Sequence, residues 1–218
     1  SDVCSSDLAA ASGNNLTNVN SSNLPTSIIG DGRDLNNSTN VLSSVTTGQH
    51  LVVPNGVLAG ITNFTWSGWV YLDRDATNWE RIFDFGQSAN VNFFFTASSD
   101  VASPSQTRVR ITTGGAGSEQ GPAINNPSAN TGAWNYWAVT LNAGSNTVSV
   151  YKNGVLYGSA TGVTFRPNNM ETSTSNFFGR SNYGADHYID GKFDEFRLSR
   201  AVHSANWIRT EYNNQNAP

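Results

Sequence analysis

Short stretches in which apolar and polar residues alternate recur along almost the whole chain, and they constrain its fold more than any other feature. Residues 108–112 place arginines on one side and aliphatic side chains on the other, and residues 137–141 alternate in the same way. A period of two is typical of β-strands. Asn153 and Gly154 stand between two such stretches, and this dipeptide is the strongest short-range signal for a β-hairpin.

About a dozen short strands and one helix are predicted. The helix begins after Ser204, which can cap a segment that carries Trp207, Ile208 and Tyr212 at helical spacing. The alternation of the last strand slips near Asp194, which predicts a β-bulge. The sequence therefore predicts an all-β fold, an antiparallel β-sandwich with one short C-terminal helix. The predicted strands include residues 51–53, 63–74, 82–85, 92–96, 108–112, 137–141, 147–151, 155–159, 176–179 and 188–198.

Composition excludes several classes of protein. The 218 residues carry a net charge of −4 and only 13% charged residues, so no basic stripe for nucleic acid is present. No apolar run has the length of about 20 residues that a membrane-spanning helix needs. Cys4 is the single cysteine, which excludes an intrachain disulfide and a cluster of thiolate metal ligands. With 37% apolar residues the chain can bury a substantial core.

Four stretches resemble the LamG-like jelly roll of the concanavalin A-like lectin/glucanase superfamily, in family order. Residues 63–70 are similar to its first long strand, and residues 133–140 to its tryptophan-containing central strand, here without the usual histidine. Residues 150–154 resemble its Leu-Tyr-Val-Asn-Gly hairpin. Residues 191–198, Gly-Lys-Phe-Asp-Glu-Phe-Arg-Leu, resemble its closing strand. The resemblance implies a jelly-roll module of the type found in bacterial secreted and surface proteins.

The ends of the chain are expected to lie outside this module. Residues 1–8 resemble the translation of a sequencing adapter, which indicates an artefact of cloning or sequencing. Residues 9–29 are rich in serine and asparagine and are predicted to be a loop or linker, with the first strand of the family's module missing. The sandwich is assigned to residues 30–212, and residues 213–218 are predicted to be a linker.

The resemblance also implies a structural calcium ion. In related jelly rolls the aspartate of the closing strand binds calcium, and here that residue is Asp194. Asp34 and Asn36 lie in the early segment that would supply further oxygen ligands, which calcium prefers in sets of six to eight. The alternative is that Asp194 accepts hydrogen bonds from backbone amides at the bulge.

Residues for catalysis are not found in a suitable arrangement. Retaining glycosidases place two carboxyl groups about 5–5.5 Å apart. Glu80 and Asp84 are four positions apart, which in a strand is roughly 13 Å, and the glucanase pattern Glu-x-Asp-x-x-Glu is missing. His50, His187 and His203 are not accompanied by a nucleophile elbow. The chain is therefore predicted not to be an enzyme.

Candidate ligand-binding residues combine aromatic rings with polar side chains, which suits the faces and hydroxyl groups of a sugar. Trp66, Trp137 and Phe193 are expected in the core instead. The residue 180–188 loop is either a ligand-binding loop or simply solvated, and the polar faces of the strands carry the same alternative. The candidates are Trp79, Asn92, Arg110, Arg180, Tyr183 and His187.

These observations favour a non-catalytic carbohydrate-binding module of a larger secreted or cell-surface bacterial protein. Its expected partners are a polysaccharide or glycan and covalently linked neighbouring domains, with no nucleic acid and no membrane insertion. One alternative is a structural or adhesive spacer that binds protein or nothing. Another is a jelly-roll glycoside hydrolase or polysaccharide lyase.

Overall fold

The computed structural model describes residues 16–21, 28–30, 32–38, 41–74, 79–99, 105–125 and 131–216. Cys4 and the rest of residues 1–8 lie outside this part of the chain. The described residues contain thirteen strands, one α-helix and two short 3₁₀ turns. The elements are Thr17–Val19 (β1), Arg33–Leu35 (β2), His50–Val52 (β3), Phe64–Leu72 (β4), Phe83–Ser88 (β5), Val91–Thr96 (β6), Gln106–Thr112 (β7), Ala123–Asn125 (β8), Trp134–Asn142 (β9), Thr147–Lys152 (β10), Val155–Ala160 (β11), Ser175–Phe178 (β12), Gly191–Ser199 (β13) and Ala205–Asn216 (α1).

The described strands form two antiparallel sheets packed face to face. The seven-stranded sheet has the order β1-β3-β12-β5-β6-β7-β8, and the six-stranded sheet has the order β11-β10-β9-β4-β13-β2. Sequence neighbours such as β5 and β6 pair as hairpins, whereas β12 and β13 insert between strands from distant parts of the chain. The predicted antiparallel sandwich with one C-terminal helix is confirmed.

The core lies between the two sheets and is rich in aromatic rings. Trp66, Trp137 and Phe193 are buried there, as predicted. The Trp66 ring has its centroid 5.4 Å from that of Phe83 and 5.2 Å from that of Phe196, so it joins the two sheets. Edge-to-face aromatic pairs of this kind add about 0.5–1.5 kcal/mol each beyond the burial of their surface.

A bulge in β13 confirms the interruption predicted from the sequence. The pairing of β13 with β4 shifts register between Asp194 and Arg197. Glu195 adopts a positive φ of 50°, which is unusual for a residue with a side chain. Because the bulge resets the alternation, Phe193 and Phe196 both reach the core despite their odd spacing.

Helix α1 packs on the outer face of the six-stranded sheet. The Ser204 hydroxyl accepts a hydrogen bond from the Trp207 backbone amide at 3.2 Å, which confirms the predicted cap. The helix continues through Asn216, into the segment that the sequence assigned to a linker. Gln215 is buried and accepts a hydrogen bond from the Trp69 indole at 2.6 Å, which explains why the helix continues.

Two short strands lie where the sequence indicated loops. Strand β1 falls within residues 9–29 and pairs with β3, while β8 lies in a glycine- and proline-rich segment and pairs with β7. Three-residue strands are too short to show an alternating pattern, so tertiary pairing alone defines them. Within the described residues no helix is long and apolar enough to span a membrane.

Candidate functional site

A cavity of about 320 Å³ lies at the outer face of the seven-stranded sheet. Strand β7, the turn that follows it, the segment before β5 and the residue 180–188 loop contribute its walls. The volume falls at the small end of the range of roughly 300–1,000 Å³ that is usual for ligand pockets. Its lining consists of aromatic and charged side chains together with one alanine: Trp79, Arg81, Arg108, Ala116, Glu119, Tyr183 and Asp186.

The base of the cavity is a cation–π pair. Phe94 in β6 is fully buried on the side of the sheet away from the core, and the Arg81 guanidinium lies 3.9 Å from its ring centroid. The same guanidinium lies 5.5 Å from the ring of Trp79 and 5.7 Å from that of Tyr183. Arg81 thus brings together two aromatic residues that are more than a hundred positions apart in sequence.

Trp79 is held in a strained backbone conformation. Its φ is 58°, in the left-handed region that a bulky residue rarely adopts and that costs about 1–3 kcal/mol. Its amide donates a hydrogen bond to the Ser99 carbonyl at 3.2 Å, and its carbonyl accepts one from Arg81 at 2.9 Å. The half-buried indole ring consequently lines the cavity, with the Arg108 guanidinium 4.8 Å from its centroid.

Asp84 fixes the residue 180–188 loop to the sheet. The backbone amide of Asn182 donates to Asp84 Oδ2 at 3.0 Å, and its side-chain amide donates to Oδ1 at 2.8 Å. Asp84 is fully buried, and burial raises the pKa of its carboxyl group to about 6, although Arg81 and Asn182 oppose the shift. The carboxylate therefore positions the loop and, through it, the ring of Tyr183.

Asp186 and Ser181 complete this network. The Ser181 hydroxyl donates to Asp186 Oδ2 at 2.7 Å and accepts from the Tyr183 amide at 3.0 Å. The Nη2 of Arg81 donates to Asp186 Oδ2 at 2.8 Å, and the Nε of Arg81 lies 3.6 Å from Asp84 Oδ2. Burial raises the pKa of Asp186 as well, against the effect of Arg81. One guanidinium thus holds two carboxylates and the loop that carries one wall of the cavity.

The opposite wall is built on β7. Arg108 and Arg110 alternate with core residues and so share the outer face, as predicted. Arg108 Nη2 lies 3.1 Å and Arg110 Nε 4.0 Å from the same oxygen of Glu119. Burial lowers the pKa of both arginines, and the Glu119 carboxylate opposes that shift in each case. Glu119 therefore compensates the charge of this wall.

The structure brings some of the predicted binding residues together and separates others. Trp79 and Tyr183 line the cavity. Arg110 is not among the lining residues, but its Nε lies 4.0 Å from Glu119, which is. Asn92 is fully buried, and its side chain opposes the increase in the pKa of Tyr183 that burial causes.

Arg180 and His187 are not among the residues that line the cavity. Arg180 donates to the Ser43 carbonyl at 3.2 Å and covers the ring of Phe177 at 4.6 Å. His187 pairs through its backbone with Leu42, and burial lowers its pKa. Both residues fasten the loop, and their predicted role in ligand binding stays a prediction.

Sequence reasoning missed Arg81, Glu119 and Asp186 as members of the site. The available signal was the scarcity of charged residues, which make up only 13% of the chain. No local pattern places these three residues beside one another.

The carboxylates that were considered for hydrolysis are engaged elsewhere. Glu80 forms an ion pair with Arg74 at 2.8 Å and is buried. Asp84 and Asp186 approach the same Ser181 hydroxyl, but Asp84 is 0% exposed and its oxygens accept hydrogen bonds from Asn182. This arrangement provides a structural support for the loop.

Asp194 accepts hydrogen bonds from backbone amides, which was the alternative to calcium binding. Its Oδ2 accepts a hydrogen bond from the Ile29 amide at 2.9 Å and its Oδ1 accepts one from Glu195 at 2.8 Å. Asp34 lies in β2 and Asn36 is exposed just after that strand. In the described part of the chain no group of three His, Cys, Asp or Glu residues is placed to hold a metal. These residues alone do not complete the shell of six to eight oxygen ligands that calcium prefers.

Solved structures share this fold at low sequence identity. Domain 4 of AbnA, an extracellular arabinanase from Geobacillus stearothermophilus in complex with arabinotriose, is similar with a TM-score of 0.66 and 18% identity, over 94% of this chain and 92% of that chain. The binding domain of botulinum neurotoxin DC in complex with SialylT has a TM-score of 0.66 and 16% identity, over 95% of this chain. This chain spans 48% of that neurotoxin domain.

A comparison with curated protein sequences gives no match. The family model Laminin_G_3, described as concanavalin A-like lectin/glucanases superfamily, matches residues 45–209. The match covers most of the sandwich, from the segment before β3 into α1. This chain therefore belongs to the Laminin_G_3 family of the concanavalin A-like lectin/glucanase superfamily.

Proposed function

We propose that this protein is a non-catalytic carbohydrate-binding module and that the cavity between Trp79 and Tyr183 holds the glycan. The observation that carries the proposal is the cavity itself, where two aromatic rings flank charged side chains at the outer face of the seven-stranded sheet. Its volume of about 320 Å³ suits a short stretch of glycan.

The chemistry of the lining fits a sugar. Aromatic rings present an apolar face against which a sugar ring can stack. Arg108 donates hydrogen bonds, and the carboxylates of Glu119 and Asp186 accept them, which matches the mixed donor and acceptor character of sugar hydroxyl groups. Because Asp84 and Arg81 hold the loop wall and Glu119 joins the two arginines of the β7 wall, the site is preorganised and loses little entropy on binding.

Two structural neighbours support this class of ligand. The arabinanase domain is in complex with arabinotriose, and the neurotoxin domain is in complex with SialylT. The arabinanase is extracellular, and its domain 4 is one part of a larger enzyme. We accordingly propose that this chain works outside the cell or at its surface, linked to neighbouring domains, and places them on a polysaccharide.

The proposal treats the module as non-catalytic because Asp84 is inaccessible and the two carboxylates that line the cavity, Glu119 and Asp186, are paired with arginines. Asp84 is completely buried and bound by Asn182. A general acid or a nucleophile must reach the glycosidic bond. The structural calcium ion implied by the resemblance is a separate proposal, centred on Asp194.

A glycan array on the purified chain tests the proposed function. We expect binding to at least one polysaccharide class, and the same binding with calcium and with a chelator, since Asp194 lies on the other sheet. Trp79→Ala should weaken the strongest interaction by roughly 1–3 kcal/mol, the range for loss of an aromatic stacking contact.

Trp207→Ala is the matched control, because Trp207 is an exposed tryptophan on α1 that stacks on His203 and lines a different cavity, beside the helix. Circular dichroism verifies that each variant is folded. Equal affinities for the native protein and the Trp79 variant would place the site elsewhere. Silence of the folded protein on the whole array would favour a spacer.

A further inference from the structure

The charges at the cavity are balanced before any ligand arrives. Within the described residues, three guanidinium groups face three carboxylates at this site. The pairing is specific, and its closest contacts are 2.8 and 3.1 Å. The members are Arg81 with Asp84 and Asp186, and Arg108 and Arg110 with Glu119.

These pairs are shielded from water. The side chains of Arg108 and Glu119 are 20% and 10% exposed, and that of Asp186 is 13% exposed. Charges in such an environment are weakly screened, so a like charge placed beside them is strongly unfavourable. An acidic sugar would have to displace Glu119 from Arg108, or Asp186 from Arg81, and would leave a carboxylate unpaired.

An uncharged sugar meets no such obstacle. Its hydroxyl groups can accept hydrogen bonds from the arginines and donate to carboxylate oxygens without breaking an ion pair. The ring of Trp79 lines the cavity, with the guanidinium of Arg108 4.8 Å and that of Arg81 5.5 Å from its centroid. Attraction to a neutral ligand and exclusion of an acidic one thus come from the same residues.

We propose that this cavity selects uncharged glycans and that Glu119 is the specificity-determining residue that excludes acidic ones, an inference that rests on the proposed glycan-binding function. We assign this role to Glu119 because its carboxylate pairs with two neighbouring arginines of β7 at once. Removal of its charge would leave two guanidinium groups facing the cavity without their common partner. The cavity would then attract carboxylate-bearing sugars.

The test uses pairs of ligands that differ only in charge. Oligogalacturonides and their carboxyl-reduced counterparts have the same length and linkage, and arrays of other uronate-containing glycans can be reduced in the same way. Affinities of the native chain for both members of each pair are measured by calorimetry. We expect the neutral member to bind at least about tenfold more tightly, because the acidic member leaves a buried charge unpaired.

Glu119→Gln keeps the shape of the side chain and removes its charge. We expect it to shift the ratio of acidic to neutral affinity by about tenfold or more toward the acidic member. Glu171→Gln is the matched control, because Glu171 is exposed and outside the cavity, and it should leave the ratio unchanged. Should the Glu119 variant fail to fold, Asp186→Asn removes the partner of Arg81 and is expected to shift the ratio in the same direction.

The outcomes separate this inference from the proposed function. Preference of the native chain for the acidic members overturns this inference while the proposed glycan binding stands. An unchanged ratio of acidic to neutral affinity in folded Glu119→Gln does the same. Silence of the folded native protein on the whole glycan array overturns the proposed function and this inference together. A neutral preference that Glu119→Gln reduces and Glu171→Gln does not supports it.

Discussion

The two outer faces of the sandwich carry similar residues, yet their cavities differ. Helix α1 covers the aromatic residues of one face and leaves a space of about 420 Å³ along its own side, whereas the other face has a cavity beside its aromatic residues. On the six-stranded sheet, Trp69 and Tyr136 are buried beneath helix α1, against Ile208 and Tyr212. On the seven-stranded sheet, Phe94 is covered by a guanidinium group, and beside it the chain leaves about 320 Å³ of space.

Both faces also contain an arginine and buried carboxylates, but their roles differ. On the covered face, Glu211 of the helix accepts hydrogen bonds from Tyr136, Ser67 and Arg197, and so locks the helix onto the sheet. On the face with the cavity, Asp84 holds the residue 180–188 loop, in which the ring of Tyr183 is only half-buried. Hydrogen bonds to a buried carboxylate thus hold the helix on one face and the loop beside the cavity on the other.

The largest effect is expected on the covered face. Glu211→Ala removes the common acceptor and leaves the buried Tyr136 hydroxyl and one end of Arg197 without it. Breaking a buried ionic network costs about 3–5 kcal/mol, so we expect the free energy of unfolding to fall by about 4 kcal/mol. Urea denaturation measures it, with the exposed Glu171→Ala as control. A loss below about 1 kcal/mol would show that the helix is held by apolar contacts alone.

The next largest effect concerns the pH dependence of the other face. Because burial raises the pKa of Asp84 to about 6 from 3.8, the folded state binds a proton more tightly than the unfolded state. The contribution of this group to stability is thus complete below about pH 4 and is lost as the pH rises through about 6. Its upper limit is roughly 3 kcal/mol. Asp186, whose pKa is raised in the same direction, adds to the trend.

Unfolding free energies of the native chain and Asp84→Asn between pH 4 and 7 check this prediction. The stability of the native chain relative to the variant should decrease as the pH rises across this interval, since only the native chain has this group to titrate. Glu171→Gln is the matched removal of an exposed carboxyl group. A relative stability that is constant, or that increases with pH, contradicts the assignment.

A smaller effect separates binding from stability. Tyr183→Ala is expected to weaken glycan binding by about 1–3 kcal/mol, the range for loss of a stacking contact. Tyr136→Ala should instead lower the stability and leave the affinity unchanged, because Tyr136 lies beneath the helix on the other sheet. Calorimetry and thermal melting on the two variants give the comparison. Normal affinity in the Tyr183 variant would remove the loop from the site.

The smallest effect is expected from calcium. An ion that binds only the folded state stabilises it, so millimolar calcium should raise the Tm by a few degrees if the site at Asp194 exists. Asp194→Ala should abolish the increase, whereas Asp73→Ala, an exposed carboxylate, should preserve it. The same increase in the Asp194 variant would leave that carboxylate as an acceptor for the Ile29 and Glu195 amides only.

Local pattern was sufficient to predict most of the fold. The alternation of β4, β7, β9 and β10, the hairpin at Asn153 and the bulge at Asp194 are each decided by a few neighbouring residues. The candidate site was predicted only in part. Trp79 and Tyr183 were identified by their aromatic character, but their meeting depends on the cation–π contacts of Arg81.

The sequence by itself determined the strands, the turn residues, the core aromatics and the membership of a β-sandwich family, because periodicity and turn chemistry act over short distances. Only the tertiary structure decided which face α1 would cover and which charged residues would meet. Asp84 and Asn182 are 98 positions apart, and the placement of β12 beside β5 brings them together. Such contacts depend on long-range packing, and that packing gathered aromatic and charged residues around the cavity on the seven-stranded sheet.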